Sequence, residues 1–507
     1  MAYLLGVDIG TSGTKTVLFT ERGVPVASHT VEYPLYQPEN GWAEQEPLDW
    51  WHAVCETTSA VIAKSGVKPA DIGGIGLSGQ MHGLVMLGEN GEPLRRSIIW
   101  CDQRTGAECA EITRKVGAEK LVDITANPAL TGFTASKILW VRNHEPEIYE
   151  KCRHILLPKD YIRFKLTGEL ATEVSDASGM QLLDVKNRAW SDEVLSSLGI
   201  DKALLGKVYE SPEITGKVSA ETAALTGLSV GTVVAGGAGD NAAAAVGTGT
   251  VRDGNAFTTI GTSGVVYAHT SKPIIDPQGR IHTFCCAVPD AWHVMGVTQG
   301  AGLSLQWFRN TFCAAEAEAA SQLGIDVYQL LDQEAARIPI GSDRLLYLPY
   351  LMGERTPHLD PDARGTFFGL SSRHTRSHLL RAVMEGVAFS LRDCVDLISS
   401  VGLSPKEMLI CGGGGRSPLW QQMLADLYGT PVATLTSNEG PALGVAILAG
   451  VACGTFASVA EGCDALIATN PPQTPIPDNA KAYAPFYKLF TELYPALKTS
   501  YGKLAKL

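Results

Sequence analysis

Hydrophobic and polar positions along the chain follow two periods. Alternation or short apolar runs predict strands at residues 3–7, 14–19, 72–77, 84–87, 256–259 and 265–268. A 3.6-residue period predicts helices at residues 49–64, with Trp50, Val54, Val61 and Ile62 on one stripe, and at residues 377–399, with Leu380, Val383, Val387, Leu391, Val395 and Ile398 on another. Asn90-Gly91 is expected to supply the positive φ angles of a tight turn. Sheets and long helices alternate in both halves, so the chain reads as an α/β protein.

Glycine marks the junctions. Residues 233–235 and 408–411 are strand-like, and each run enters a glycine-rich turn, at residues 236–239 and 412–415, before a helical pattern begins. After the second turn Ser417 suits an N-cap, Pro418 the first helical position, Leu419, Met423 and Leu427 a buried stripe, and Gly429 a stop. Ile-Gly-Thr-Ser-Gly occurs at residues 9–13 and again at 260–264, flanked by strands both times. Each copy is expected to be a hairpin tip, and the repeat divides the chain into duplicated lobes at residues 1–250 and 251–507.

Composition narrows the classes. With 507 residues, 45% hydrophobic and 19% charged, the chain is too long for one small domain and too apolar for disorder. A net charge of −12, from 41 basic and 53 acidic residues, argues against nucleic acid or anionic lipid as a partner. Residues 1–10 lack a basic flank and meet Asp8 too early for a signal peptide, and the apolar stretch 441–453 is shorter than a membrane span. A cytoplasmic location is expected. Eleven cysteines without a Cys-x-x-Cys spacing read as free thiols, Cys285 and Cys286 included.

Two familiar motifs fail on context. Gly74-Ile-Gly76-Leu-Ser-Gly79 has the G-x-G-x-x-G spacing, but a strand follows where a helix N-terminus would have to hold pyrophosphate. Gly227-Leu-Ser229-Val-Gly231 has the nucleophile-elbow spacing but runs from helix to strand instead of strand to helix. The paired tips are better candidates, because their hydroxyls and accessible amides could approach phosphate oxygens, although ordinary hairpin turns have the same composition. Asp8, two residues before its tip, suits an oxygen ligand for magnesium better than a turn-initiating aspartate. Asp240 follows the turn at 236–239 and is expected at or near a helix N-terminus, ionised at neutral pH; it is either a general base or a plain cap. Residues 79–83 bring an amide, a thioether and an imidazole suited to a neutral polyol. Trp100, Asp102 and Arg104 either line that pocket or form a core residue with a helix-start ion pair.

These segments resemble the FGGY carbohydrate kinase family over nearly the whole chain. The resemblance runs through residues 6–13, 42–45, 79–82, 132–140 and 157–161, and continues through 239–241, 261–264, 353–357, 365–370 and 412–415. It implies an actin-like ATPase fold of two ribonuclease-H-like lobes around a central cleft, sugar held mainly by the first lobe and adenine by the second. Carried onto matching positions, it makes Asp240 the catalytic base, Asp8 the carboxylate serving Mg2+ and phosphate, and Met81, His82 and Asn241 sugar contacts. It brings Thr11, Ser12 and Thr262 to the phosphates of ATP and Gly413 and Gly414 to adenine and ribose; Lys15 reaches phosphate or is an exposed strand residue. Glycerol is disfavoured, because glycerol kinases carry an Arg-Glu pair where Met81-His82 stands. A ketopentose, D-xylulose first, is the implied substrate, with ribulose, a deoxyketose or a signalling sugar open, and a homodimer fits the family. A nucleotide-driven binding protein on the same fold is the rival from another class.

Overall fold

The computed structural model describes residues 3–437 and 439–507; Met1 and Ala2, the start of the segment read for a targeting signal, lie outside the described residues. Two sheets carry the same topology. In the first half the strands Tyr3–Ile9, Gly13–Thr20 and Pro25–Glu32 form an antiparallel meander, Ile72–Gly79 runs parallel to the first of them, and Val233–Ala235 runs parallel to Ile72–Gly79. The second half repeats this with the meander Asn255–Ile260, Gly264–Thr270 and Trp292–Thr298, then Glu407–Cys411 and Val432–Thr434 in parallel. This five-strand order, found twice, is the duplicated ribonuclease-H-like arrangement. Both Ile-Gly-Thr-Ser-Gly copies are hairpin tips, joining the first two strands of each meander.

The helix that follows the fifth strand of each half is Asp240–Gly247 in the first and Gly440–Ala452 in the second. Each lies on the sheet of the opposite half. Ala245 packs against Phe257 and Tyr267 of the second sheet, whereas the residues from Ala442 to Leu448 join Leu4, Val17 and Phe19 of the first. The approach is backbone to backbone. A Cβ at Gly6 would overlap the Ala442 carbonyl and one at Gly76 the Val445 carbonyl, while Gly444 and Gly247 let the two helices touch at Ala243 and Gly440. The spacing at residues 74–79 therefore serves helix-on-sheet packing, and its glycines lie inside the strand Ile72–Gly79.

Local expectations are met at several ends. Ser417 accepts the Trp420 amide, Pro418 opens the helix Pro418–Tyr428, and Gly429 closes it in the left-handed region. Three expectations need correction. At residues 90–91 Gly91 has a positive φ, of 77°, and Asn90 does not; its amide is engaged by the Glu92 carboxylate. The strand Val85–Leu87 does not extend the main sheet but pairs with His154–Leu156, because the segment between the fourth and fifth strands builds its own core around Met86, Ile138 and Ile155. The helix Arg376–Ser400 buries nearly its whole circumference, Arg381 and Glu385 included, because it lies central to the second core.

The glycine contacts make a stability prediction. Gly76→Val is expected to destabilise by about 3 kcal/mol, since the carbonyl it meets belongs to a helix that cannot retreat without opening the sheet. Gly502→Ala, in the helix Pro477–Leu504 with open space around it, is expected to be neutral or stabilising. Urea unfolding of the two variants checks the contrast.

Candidate active site

Strand register brings the two acidic candidates to one sheet edge. Asp8 is the penultimate residue of Tyr3–Ile9, opposite Lys15 on one side and Ser78 on the other. The Ser78 hydroxyl donates to Asp8 Oδ1 at 2.8 Å, and Oδ2 accepts no hydrogen bond among the described residues. Beyond Ser78, the short strand Ala238–Gly239 continues the same edge, and the helix bearing Asp240 at its first position begins there. Two strand spacings thus separate the Asp8 and Asp240 backbones, roughly 10 Å. Asn241 donates to Asp240 Oδ1 from its backbone at 2.7 Å and from its side chain at 3.1 Å, which leaves Oδ2 without a hydrogen bond among the described residues.

The electrostatics overturn one expectation. Asp240 is not simply ionised at neutral pH: burial, reinforced by the Asp8 carboxylate, pushes it up to about 7 despite the Asn241 hydrogen bonds. Asp8 is also raised, by burial, against the opposing effects of Ser78 and Lys15. A helix N-terminus favours the charged form, but here desolvation outweighs it.

The turn after Ile72–Gly79 presents the polyol candidates. Met81 is 5% exposed and packs against Gly239, the residue before Asp240. His82 sits in the left-handed region, φ 69°, with Nδ1 2.8 Å from the Gly179 carbonyl and its ring 4.8 Å from that of Phe133. A carbonyl only accepts, so Nδ1 carries the proton and Nε2 is left as an acceptor. Burial, with Lys137 next, lowers His82 to about 3, and the ring is neutral. The Lys137 ammonium ties this turn to the next wall, donating to the carbonyls of His82, at 2.9 Å, and Gly132. Burial brings Lys137 down to about 7.

The remaining candidates divide between the two sheets. Trp100 Nε1 donates to the Thr11 hydroxyl at 2.9 Å and Gln45 holds the Thr11 carbonyl at 2.7 Å, while Ser12 is exposed at the tip. The Lys15 ammonium is 2.7 Å from the Glu439 carboxylate, so an ion pair engages it. Thr262 is exposed on the second tip, whose carbonyls at Gly261 and Thr262 accept the amides of Gly302 and Leu303. Gly413 stands in open space beside it, and Gly414 lies over Ile260. Asp8, Asp240, Asn241, Met81, His82, Thr11 and Ser12 thus collect on the first sheet's edge, and Thr262, Gly413 and Gly414 on the equivalent edge of the second. Loops of the two halves meet beside His82, where Asn127 bonds His282 at 2.8 Å and Phe284 lies 6.2 Å from the imidazole.

Sequence reasoning missed the support. Behind the loop at residues 236–240, Lys159 lies 2.7 Å from Asp160 and 3.2 Å from both Glu173 and Asp176, all fully buried. Arg163 pairs with Asp160 and donates to the Gly236 carbonyl, and the Ser175 hydroxyl accepts the Gly239 amide at 3.1 Å. Burial raises Asp176 well above the carboxylate range, towards the neutral acid, whereas Lys159 and Arg163 hold Asp160 below it against burial. Residues 157–161 belonged to the resemblance, but nothing in their spacing gave them a task. The Trp100 to Arg104 alternatives split: Trp100, 41% exposed, faces the first tip, while Asp102 and Arg104 are buried beneath it as an ion pair.

Models of the FGGY family of carbohydrate kinases match this chain, the N-terminal domain over residues 3–247 and the C-terminal domain over residues 256–453. A xylulose kinase of Bacillus subtilis is 40% identical over 498 residues, 98% of each chain, and a gluconokinase of the same organism is 35% identical over 99% of this chain and 98% of its own. The crystal structure of xylulose kinase from Rhodospirillum rubrum is similar at a TM-score of 0.91 and 31% identity, covering 99% of this chain and 100% of its own. The chain belongs to the FGGY family of carbohydrate kinases. It is an α/β protein of the actin-like ATPase fold and a sugar kinase, with ATP and a sugar as its substrates. Among the described residues no helix is long and apolar enough to cross a membrane.

The raised Asp240 can be measured directly. Carbon-detected NMR of the side-chain carboxyl is expected to titrate near pH 7, and Asp8→Asn, by removing the like charge, is expected to move that midpoint downwards. An Asp240 midpoint in the ordinary range near 4 would contradict the burial argument.

Proposed function

We propose that this kinase transfers the γ-phosphoryl group of ATP to the C5 hydroxyl of D-xylulose, giving D-xylulose 5-phosphate and ADP. The observation that carries the reading is the free Oδ2 of Asp240, held on the sheet edge it shares with Asp8 and beside the neutral Met81, His82 and Asn241. These side chains suit an uncharged polyol: a thioether face, an imidazole acceptor and an amide orient hydroxyls without demanding a charge on the ligand. Asp240 Oδ2 takes the proton of the C5 hydroxyl as that oxygen bonds to the γ-phosphorus, and the bond from that phosphorus to the β,γ-bridging oxygen breaks. ADP leaves with the electron pair, and the proton on Asp240 passes to water afterwards.

Asp8 is the proposed carboxylate for Mg2+. Its uncommitted Oδ2 and partial exposure fit a hard cation that takes one or two carboxylates and completes its shell with phosphate oxygens and water. Such an ion, when bound, offsets negative charge on the phosphates. The proposed division of labour has residues 1–250 holding the sugar and residues 251–507 holding the nucleotide, with Thr11, Ser12 and Thr262 near the phosphates and Gly413 and Gly414 beside adenine and ribose. Lys15 would reach phosphate only by leaving Glu439.

Purified protein is expected to release ADP in step with D-xylulose when assayed over ribulose, 1-deoxy-D-xylulose, gluconate and glycerol as well; equal turnover on all of them overturns the reading. Asp240→Asn is expected to keep its fold and nucleotide binding while kcat falls by about 10²- to 10⁴-fold, and near-normal turnover would move the base elsewhere. The raised acid sets the sign of the pH dependence. The basic form is present above about 7 and lost as pH falls through it, so kcat/KM is expected to drop on the acid side of neutrality.

A further inference from the structure

An arginine in this site lacks a protein partner. Arg355 comes from the second half, and its backbone is pinned: its amide donates to Glu354 Oε1 at 2.7 Å, and its carbonyl accepts Leu359 at 2.5 Å. The neighbours are pinned in turn, Glu354 by the Thr298 hydroxyl at 2.6 Å and the Gln299 amide at 3.0 Å, Thr356 by both backbone groups of Val297. Yet the guanidinium, with five donors, makes no hydrogen bond or ion pair among the described residues although the residue is partly buried. Buried donors without partners are uncommon, and a ligand oxygen is a ready explanation for a set of five.

Its position gives the ligand an orientation. A terminal nitrogen of Arg355 lies 3.8 Å from the point a Cβ on Gly132 would occupy, and Gly132 shares the Lys137 ammonium with the His82 carbonyl. From Asp240 the site therefore runs through Gly239 and Met81 to His82, then through Gly132 to Arg355 at the opposite end. The charge relations agree: Arg355 acts on His82 and His282, whereas the charged group acting on Asp240 is Asp8.

We infer that Arg355 is a specificity-determining residue that crosses from the second half to bind the terminal oxygen of the sugar at the end remote from the phosphorylated hydroxyl. In a ketopentose that oxygen is the C1 hydroxyl; in an aldonate it is the C1 carboxylate, which a guanidinium would bind more tightly. The inference rests on the sugar lying between Asp240 and His82. It also adds a reason for the two halves to close on sugar, since a rooted side chain of one then touches a ligand held by the other.

The test is a cycle between side chain and substrate oxygen. Steady-state kinetics of the full chain and of Arg355→Gln and Arg355→Lys are measured on D-xylulose, 1-deoxy-D-xylulose and gluconate, with ADP binding and thermal melting as controls of the fold. For Arg355→Gln, kcat/KM on D-xylulose is expected to fall roughly 10- to 100-fold, chiefly through KM. On 1-deoxy-D-xylulose, which lacks the oxygen, the loss is expected to stay within about threefold, and Arg355→Lys is expected to recover part of the D-xylulose loss. Equal losses on the two ketoses, or a loss confined to the KM for ATP, overturns the inference. A wild type that prefers gluconate and loses that preference in Arg355→Gln overturns the D-xylulose reading while supporting the role of Arg355.

Discussion

Everything in this molecule is organised by one contact, the crossing of two helices without side chains between them. Asp240–Gly247 and Gly440–Ala452 touch through Gly247, Gly440, Gly444 and Ala243, and Gly440–Ala452 settles on a floor of Gly6, Gly74 and Gly76. Backbones meeting at this distance leave little freedom for the relative placement of the halves, because any Cβ would meet a carbonyl oxygen. The exchange of helices also means that each half finishes the core of the other. The sheet edge that carries Asp8 and Asp240 is thereby joined to the half that supplies Arg355.

At that edge burial decides the chemistry. Asp8 and Asp240 are both drawn out of water, and each loses part of its preference for ionisation. For Asp240 the result is a carboxylate poised near neutrality, a stronger proton acceptor than a solvated aspartate and still ionised in a large fraction of molecules. His82 responds to the same desolvation in the opposite sense, becoming a fixed neutral acceptor. One environment thus prepares a base and a sugar contact together.

The loop bearing Asp240 rests on ions rather than on apolar packing. Arg163 holds the Gly236 carbonyl, Ser175 holds the Gly239 amide, and both are locked by the carboxylates around Lys159. Breaking a buried ion pair strands the remaining charge, at a cost of about 3–5 kcal/mol, so this arrangement is stiff where a hydrophobic one would tolerate repacking. Stiffness matters here because positional error in a base translates directly into rate.

The elements were legible from the chain because they depend on neighbours in sequence. The periodic stripe on the helix Pro47–Ser65, the cap and stop of Pro418–Tyr428, and both Ile-Gly-Thr-Ser-Gly tips follow from local patterns, and the duplicated strand order could be inferred from the repeated tip. The failure of the G-x-G-x-x-G context was readable for the same reason. What glycine does there was not, since the helix lying on Gly74 and Gly76 comes from residues more than three hundred positions later. Only the tertiary structure decided the protonation of Asp240, which a local helix-end argument set as ionised and desolvation beside Asp8 raised to about 7. Likewise Arg355 carries no local signal: its meaning is the absence of a partner, and that exists only once the two halves have come together around a shared space.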